Sequence, residues 1–146
     1  MWTAQSDFPL YISAASNTSN SFGGTFRPNE NGQNPNISGS AVSRLSEWFN
    51  TSDFSQPAPF TFGNTPRTLP DVRAEGIDNF DFALFKNTLF GPEDKLGLQF
   101  RCEVFNIANR VQFGYPGMTF GTAQFGVVSS QINQPRLIQL ALRFSF

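Results

Sequence analysis

The sequence predicts an all-β fold of long antiparallel strands, and three observations carry that prediction. In three segments apolar residues alternate with polar ones, which is the periodicity of a strand with one apolar side. Each segment is about eleven residues long, whereas strands in soluble domains usually have about five or six. The composition agrees, because 18 of 146 residues are Phe, only 14% are charged, and Asn, Ser, Gly and Pro are abundant.

The first element is residues 1–12, MWTAQSDFPLYI, which read as the end of a strand. Residues 13–79 follow as a long loop with turn-forming runs such as SNTSNSFGG and RPNENGQNPN. Within this loop only residues 41–49 suggest a short helical turn or a brief strand. Structureless loops of this length are uncommon in compact soluble domains, so they count against such a domain.

The second element is the strand at residues 80–90, FDFALFKNTLF. Apolar side chains occupy its even positions, although Lys86 falls among them and Phe85 falls on the polar side. Asp81 and Asn87 are the polar residues of the odd side. The next five residues, GPEDK at 91–95, are typical of a tight hairpin turn.

Two further strands are predicted at residues 96–106 and 136–146, separated by a Gly- and Phe-rich loop at 107–135. In both strands the even positions are apolar and the odd positions carry the polar groups. The even side consists of Leu96, Leu98, Phe100, Cys102 and Val104 in the first strand and Ile138, Leu140, Leu142, Phe144 and Phe146 in the second. The odd side includes Gln99, Arg101 and Glu103, then Gln139 and Arg143.

The length of these strands indicates a membrane rather than a soluble setting. At roughly 3.3 Å per residue and a tilt near 45°, a strand of this length rises about 25 Å, the height of the apolar band of an outer-membrane barrel. Short turns alternating with long loops are also typical of such barrels. The predicted fold class is therefore a set of antiparallel strands from a transmembrane β-barrel with long extracellular loops.

The composition excludes several classes of function. With no His and a single Cys, Cys102, the chain has no residues for a His-based triad or a typical zinc site, and no cofactor is predicted. A net charge of −1 gives no reason to expect nucleic acid as a partner. Asp78 with Asp81, or Glu93 with Asp94, could be pictured as a glycosidase pair, but both pairs lie beside turns, and we expect no enzymatic activity.

Three runs of sequence closely resemble the C-terminal end of TonB-dependent receptors of the Oar-like kind. These proteins often carry a carboxypeptidase-regulatory-like domain and are common in acidobacteria. The runs are WFNTSDFSQPAPFTFGNTPRTLPDVRAEGIDNFDFALFKN, LQFRCEVFNIANRVQFGYP and FGVVSSQINQPRLIQLALRFSF; QSDFPLYI is similar to a strand end that precedes a large extracellular loop in that family. The resemblance covers residues 5 to 146.

The resemblance implies the last strands of a barrel of twenty-two, closed inside by an N-terminal plug, in the bacterial outer membrane. Such receptors take up substrates with energy transmitted by the TonB system. The implied partners are outer-membrane lipid, the remaining strands and plug of a parent receptor, the barrel-assembly machinery and TonB. Because the chain shows no signal peptide, plug or TonB-box, we expect a fragment that is inactive alone, with a periplasmic C-terminus.

The resemblance also implies a role for the last strand. In this family a terminal aromatic residue preceded by alternating apolar residues is recognised by the assembly machinery, a pattern matched by Ile138, Leu140, Leu142, Phe144 and Phe146. The odd residues Asp81, Asn87, Gln99, Arg101, Glu103, Gln139 and Arg143 would then face the lumen. There they could contact a plug or line a substrate path, or they could simply hydrogen-bond across strands.

Two arrangements of these residues stay open at this stage. Arg143 could lie opposite Arg101 and Glu103 and form a charge network with them, if the last strand pairs in that register. The aromatic residues of the loops could bind a sugar or peptide, or pack the loops together; they are Phe22, Phe26, Trp48, Phe60, Phe62, Tyr115, Phe120 and Phe125. A different class of function, a surface-attached or secreted β-sandwich adhesion module, is the alternative to the receptor, although a sandwich would need about seven strands.

Overall fold

The computed structural model describes residues 1–92 and 96–146. Within them the fold is all-β, with two short 3₁₀ turns at Val42–Arg44 and Thr51–Asp53. None of the described helices has the length and apolar character needed to cross a membrane. The chain divides into two compact units, a strand unit of residues 1–5, 77–112 and 133–146 and a loop unit of residues 6–76 and 113–132.

Eleven strands are present in the described part. In chain order they are β1 (Trp2–Gln5), β2 (Pro9–Leu10), β3 (Ser13–Ala14), β4 (Asn29–Glu30), β5 (Phe54–Ser55), β6 (Leu69–Arg73), β7 (Ile77–Phe80), β8 (Phe82–Phe90), β9 (Leu96–Phe105), β10 (Thr119–Phe120) and β11 (Leu137–Ser145).

The strand unit contains the three long strands, which form an antiparallel sheet in the order β11–β9–β8. Strand β1 pairs antiparallel with β7. The sequence predicts one strand over 80–90, whereas the structure has β7 and β8 separated by Asp81. The strand is interrupted there because the Asp81 side chain accepts a hydrogen bond from the Asn106 N–H at 2.9 Å, at the point where the β8–β9 ladder ends.

The register of the sheet sorts its side chains onto two faces. In the β8–β9 pair, Leu84 lies opposite Cys102 and Asn87 lies opposite Gln99, so even positions pair with even positions and odd with odd. In β11–β9, Leu140 lies opposite Cys102 and Arg143 opposite Gln99. Because side chains alternate along a strand, even positions of all three strands share one face and odd positions share the other.

The loop unit has more order than the sequence predicts for 13–79 and 107–135. Short pairs tie it together, β2 with β6 and β4 with β5 antiparallel, and β3 with β10 parallel. Its core contains Trp48, Phe49, Leu10, Ile12 and Val72, each at most 2% exposed. These residues come from short segments that are far apart in the sequence, so no sustained periodicity indicates a core that forms only when those segments meet.

Part of the predicted hairpin turn at 91–95 lies outside the described residues. The structure ends β8 at Phe90, and Gly91 follows with a φ of +88°, a left-handed conformation that glycine adopts without steric cost. Residues 93–95 are not described, and Glu93 and Asp94, a glycosidase pair that the sequence does not favour, fall among them.

Candidate functional site

The even face of the three-stranded sheet is almost wholly apolar. Reading across the sheet, its rows are Ile138–Val104–Phe82, Leu140–Cys102–Leu84, Leu142–Phe100–Lys86 and Phe144–Leu98–Thr88. This face is not covered within the strand unit, since Leu140 is 65% exposed and Leu142 is 68% exposed. An apolar surface of this extent is a site for an apolar environment or partner rather than for water.

Aromatic side chains stand at both ends of this aliphatic band. At one end Trp2 pairs with Phe80, one even position before Phe82, and the Trp2 Nε1–H donates to an Asp78 carboxylate oxygen at 2.9 Å. At the other end the Phe90 and Phe144 rings lie with centroids 6.0 Å apart. Two aromatic belts around an aliphatic band are the arrangement found at the two interfaces of a membrane-spanning barrel.

Lys86 is the charged residue on the apolar face, which also carries the polar Thr88. It lies opposite Phe100 in the register, in the row that continues to Leu142. Lys86 is six residues from Phe80 and four from Phe90, so it lies between the two aromatic ends and close to their midpoint. A cation at that position is costly in a bilayer, so its depth makes it a sensitive test of which face meets lipid.

The odd face carries most of the polar residues predicted for the lumen. Its central rows are Gln139–Glu103–Ala83, Ala141–Arg101–Phe85 and Arg143–Gln99–Asn87. Gln99 donates from Nε2 to Asn87 Oδ1 at 2.9 Å, and the Arg101 guanidinium lies 4.9 Å from the centre of the Phe85 ring. Arg101 thus stacks on an aromatic ring, which also explains why Phe85 is tolerated on this side.

The register corrects one expectation about the charges on this face. Arg143 lies opposite Gln99, whereas the residues opposite Arg101 and Glu103 are Ala141 and Gln139. Arg143 is therefore a diagonal neighbour of Arg101 and not the direct partner of either charged residue. The offset depends on where β11 begins relative to β9, which is decided by the loop between them and not by the alternation.

Asp81 lies apart from the other predicted lumen residues, at the end of the long strands. Its Oδ1 accepts from Asn79 Nδ2 at 3.0 Å as well as from the Asn106 N–H. Asn106 is 5% exposed and has a left-handed φ of +51°. Its Nδ2 donates to the carbonyls of Arg110 and Gln134 at 2.9 and 3.1 Å, and its Oδ1 accepts from the Arg110 N–H at 2.9 Å.

Asn106 therefore connects three segments of the strand unit, namely residue 81, the turn after β9 and the segment before β11. In the sequence, Asn106 is only the last residue of a predicted strand. An Asn is one of the few residue types that tolerates the left-handed region and can bond several backbone groups at once. That property is the only signal in the sequence that could have singled it out.

A cavity of about 500 Å³ lies beside this junction, at the end of the odd face. Its apolar surface comes from Ile77, Phe105 and Leu137, of which Phe105 and Leu137 are cross-strand partners. Its polar groups come from Asp81 and from the amide residues Asn79, Asn106, Gln112, Asn133 and Gln134. A concave apolar surface with a few convergent polar groups is the usual form of a ligand site.

The acidic residues are engaged in structural contacts. Asp78 is ion-paired with Arg110 and bonded to Trp2, while Asp81 holds Asn79 and Asn106. Asp78 and Asp81 also differ in parity, so they are not side by side on one face as a glycosidase pair would be. Among the residues that the structure describes, no cluster of three or more His, Cys, Asp or Glu is placed to hold a metal.

The aromatic residues of the loop unit divide into two groups. Trp48 is buried, and the Phe125 ring makes edge contacts with Phe49, Phe54 and Phe120 at centroid distances of 5.2, 5.6 and 5.5 Å. These rings pack the loops together. By contrast, Phe22, Phe60, Phe62 and Tyr115 are at least half exposed, so they are not part of that packing.

Two groups of the loop unit have shifted pKa values. Burial, and then the negative charge of Asp53, raise the pKa of Glu30 above its usual value. Burial, and then the hydrogen bond to Asp7, raise the pKa of Tyr115. Asp53 itself is 5% exposed; its Oδ1 accepts from Asn31 and Asn50, both at 3.0 Å.

Comparison with known proteins agrees with the geometry of the two faces. The family described as "Outer membrane beta barrel domain" matches residues 1–139. No curated protein and no solved structure matches the chain. The family match and the antiparallel strands confirm the predicted fold class and support a bacterial outer-membrane location. The chain belongs to the outer membrane β-barrel domain family.

Proposed function

We propose that the chain forms the C-terminal strands of a TonB-dependent receptor of the Oar-like kind, which takes up a substrate across the outer membrane. The observation that carries this proposal is the order of motifs in the sequence, which resembles that receptor family from residue 5 to the last Phe. The separation of an apolar face from a polar face in the strand unit supports the barrel part of the proposal.

In this proposal β8 descends through the membrane, β9 returns and β11 descends again to a periplasmic C-terminus. The turn at 91–95 is then periplasmic, and the segments 13–79 and 107–135 are extracellular. The even face meets lipid, and Asp81, Asn87, Gln99, Arg101, Glu103, Gln139 and Arg143 face the lumen. Both aromatic belts are consistent with this depth, because they bracket the aliphatic rows.

The proposal requires further polypeptide. The described strand unit has four antiparallel strands in effect, β1, β7 with β8, β9 and β11, whereas the smallest membrane barrels have about eight. An open strand edge in lipid leaves backbone groups unpaired, so β11 and β1 need neighbours. The partners we propose are the remaining strands and the plug of a parent receptor, TonB acting through that plug, and the assembly machinery acting on β11.

We propose no covalent chemistry and no cofactor for the chain. The β-sandwich adhesion module is the less favoured alternative, because a sandwich covers its apolar face with a second sheet. In the strand unit that face stays open, with Ile138 at 59% and Phe144 at 52% exposed. We expect the chain alone to aggregate in water and to need detergent.

The test is a reading of the source locus followed by an uptake assay. We expect the open reading frame that encodes these residues to encode a plug and a TonB-box upstream, and cross-linking of the encoded receptor to TonB in cells. An open reading frame that lacks both elements would contradict the proposal. So would a receptor that is heat-modifiable in the outer membrane but never cross-links to TonB. Either result would indicate an outer-membrane barrel of another kind.

A further inference from the structure

We propose that the cavity at the end of the odd face binds a neutral, hydroxyl-rich ligand of the saccharide class. The inference rests on the proposed function, in which the odd face lines the lumen and this cavity therefore lies on a substrate path. It adds the chemical class of the ligand, which neither the family match nor the resemblance supplies. The cavity volume, about 500 Å³, is within the range of small-molecule sites.

Two glutamine side chains give the cavity its unused hydrogen-bonding capacity. Gln112 and Gln134 both line it, and neither side-chain amide bonds to another residue in the part of the chain that the structure describes. Their backbones are nevertheless fixed: the Gln112 N–H donates to Asn133 Oδ1 at 2.8 Å, and the Gln134 carbonyl accepts from Asn106 Nδ2 at 3.1 Å. Each amide thus offers two donors and an acceptor from an anchored position.

The charge of the cavity favours a neutral ligand. Asp81 is the one side chain with a formal charge among its lining residues, all of which are described, and its Oδ1 already serves Asn79 and Asn106. No Lys or Arg side chain lines it, and the one cation among these lining residues, the amino group of Met1, already donates to the Asp81 carbonyl, so a phosphate or carboxylate ligand would find little counter-charge. Vicinal hydroxyl groups, in contrast, pair with planar amides as both donors and acceptors.

The apolar surface of the cavity also suits a sugar ring. Phe105 is 41% exposed, so part of its ring is open to a ligand that presents C–H groups on one face.

The experiment measures saccharide binding, in detergent micelles, by the receptor that carries this chain. The probes are the neutral hexasaccharides cellohexaose, maltohexaose and mannohexaose, with hexagalacturonate as the anionic comparison, read by saturation-transfer NMR and by titration calorimetry. We expect binding of at least one neutral probe and none of hexagalacturonate. The double variant Gln112→Ala with Gln134→Ala should weaken binding about tenfold or more, because it removes two amides that bond only to ligand.

A matched control and a second variant keep the result interpretable. Gln139→Ala removes the same side chain from the odd face outside the cavity and should leave binding unchanged. Phe105→Leu keeps an apolar side chain but removes the ring, and should weaken binding about three- to tenfold. Circular dichroism of each variant verifies that the strands are retained.

Three results would overturn the inference: no neutral saccharide binds the folded receptor, hexagalacturonate or a Ser-Gly hexapeptide binds equally well, or the double glutamine variant binds like the parent. The same samples distinguish this failure from failure of the proposed function. If the receptor is heat-modifiable in the outer membrane but binds no saccharide, only the ligand class is wrong. If it binds a saccharide but does not reach the outer membrane, the barrel role is wrong.

Discussion

Replacing Lys86 by Leu should stabilise the protein in a membrane. Lys86 is six residues from Phe80 and four from Phe90, which at roughly 3.3 Å per residue is about 20 and 13 Å along the strand. With a tilt near 40°, its Cα lies about 15 and 10 Å from the two aromatic ends, close to the middle of the apolar band. Its neighbours in the row are Phe100 and Leu142, so no anionic side chain stands opposite it.

The expected magnitude follows from that depth. A lysine on the lipid face of a barrel costs about 2–4 kcal/mol at the midplane and almost nothing at the interface. The lysine stem can carry its ammonium group part of the way toward the interface, which reduces the cost. We therefore expect Lys86→Leu to raise the free energy of unfolding by about 2 kcal/mol, at the lower end of that range.

Equilibrium urea unfolding in phosphatidylcholine vesicles, followed by circular dichroism, measures this change. The matched control is Arg101→Leu, since Arg101 is opposite Phe85 at nearly the same depth but on the odd face. That substitution should bring no gain and should lose the contact between Arg101 and the Phe85 ring. A gain for Arg101→Leu together with a loss for Lys86→Leu would refute the assignment of the even face to lipid.

Three further predictions concern the interior of each unit. Asn106→Ala should lower the free energy of unfolding by about 2–4 kcal/mol in urea titrations, because it removes three hydrogen bonds and places Ala in a left-handed conformation. Asn106→Gly should lower it by less, because glycine adopts that conformation without steric cost. Equal losses in the two variants would show that the backbone conformation is irrelevant. Trp48→Ala should cost about 3–5 kcal/mol and make the loop unit susceptible to limited proteolysis, since Trp48 is 1% exposed and its Nε1–H bonds the Arg73 carbonyl at 2.8 Å; an unchanged digestion pattern would contradict the core assignment. The loop unit should become less stable as pH rises, because of Glu30. The raised pKa of Glu30 means that the folded state holds its proton more tightly than the unfolded state does. The stability that Glu30 contributes is therefore complete below its ordinary pKa of 4.5 and is lost as pH rises through its pKa in the folded state. Glu30→Gln should flatten this part of a pH-dependent melting profile, and a Gln variant with the slope of the parent would show that another group is responsible.

The two faces of the long strands could be predicted from the sequence because they depend on local alternation alone. Every even position of β9 and β11 is apolar. Any antiparallel pairing that places even positions opposite even positions gives the same two faces. The position of Arg143 could not be predicted in this way. The alternation allows Arg143 to lie opposite Gln99, Arg101 or Glu103. The choice depends on the geometry of the connection at residues 106–136 rather than on the strand residues.

The cavity and the loop unit were beyond prediction for a related reason. Gln112 and Gln134 are separated by more than twenty positions and meet only because Asn106 bonds the carbonyl of the latter, while Gln112 bonds Asn133. Likewise, Trp48 reaches the Arg73 carbonyl across a segment with no regular pattern. Such contacts arise from long-range closure of irregular chain, for which neither periodicity nor propensity carries a signal.

The central claim is that even positions of the long strands meet lipid and odd positions meet an aqueous lumen. Nitroxide labels placed singly along β11 of a Cys102→Ser background, in phosphatidylcholine vesicles, test it directly by their collision rates with oxygen and with a water-soluble nickel complex. We predict high oxygen and low nickel accessibility at Leu140 and Leu142, and the reverse at Gln139, Ala141 and Arg143. Accessibility without a period of two, or with the opposite phase, would contradict the account.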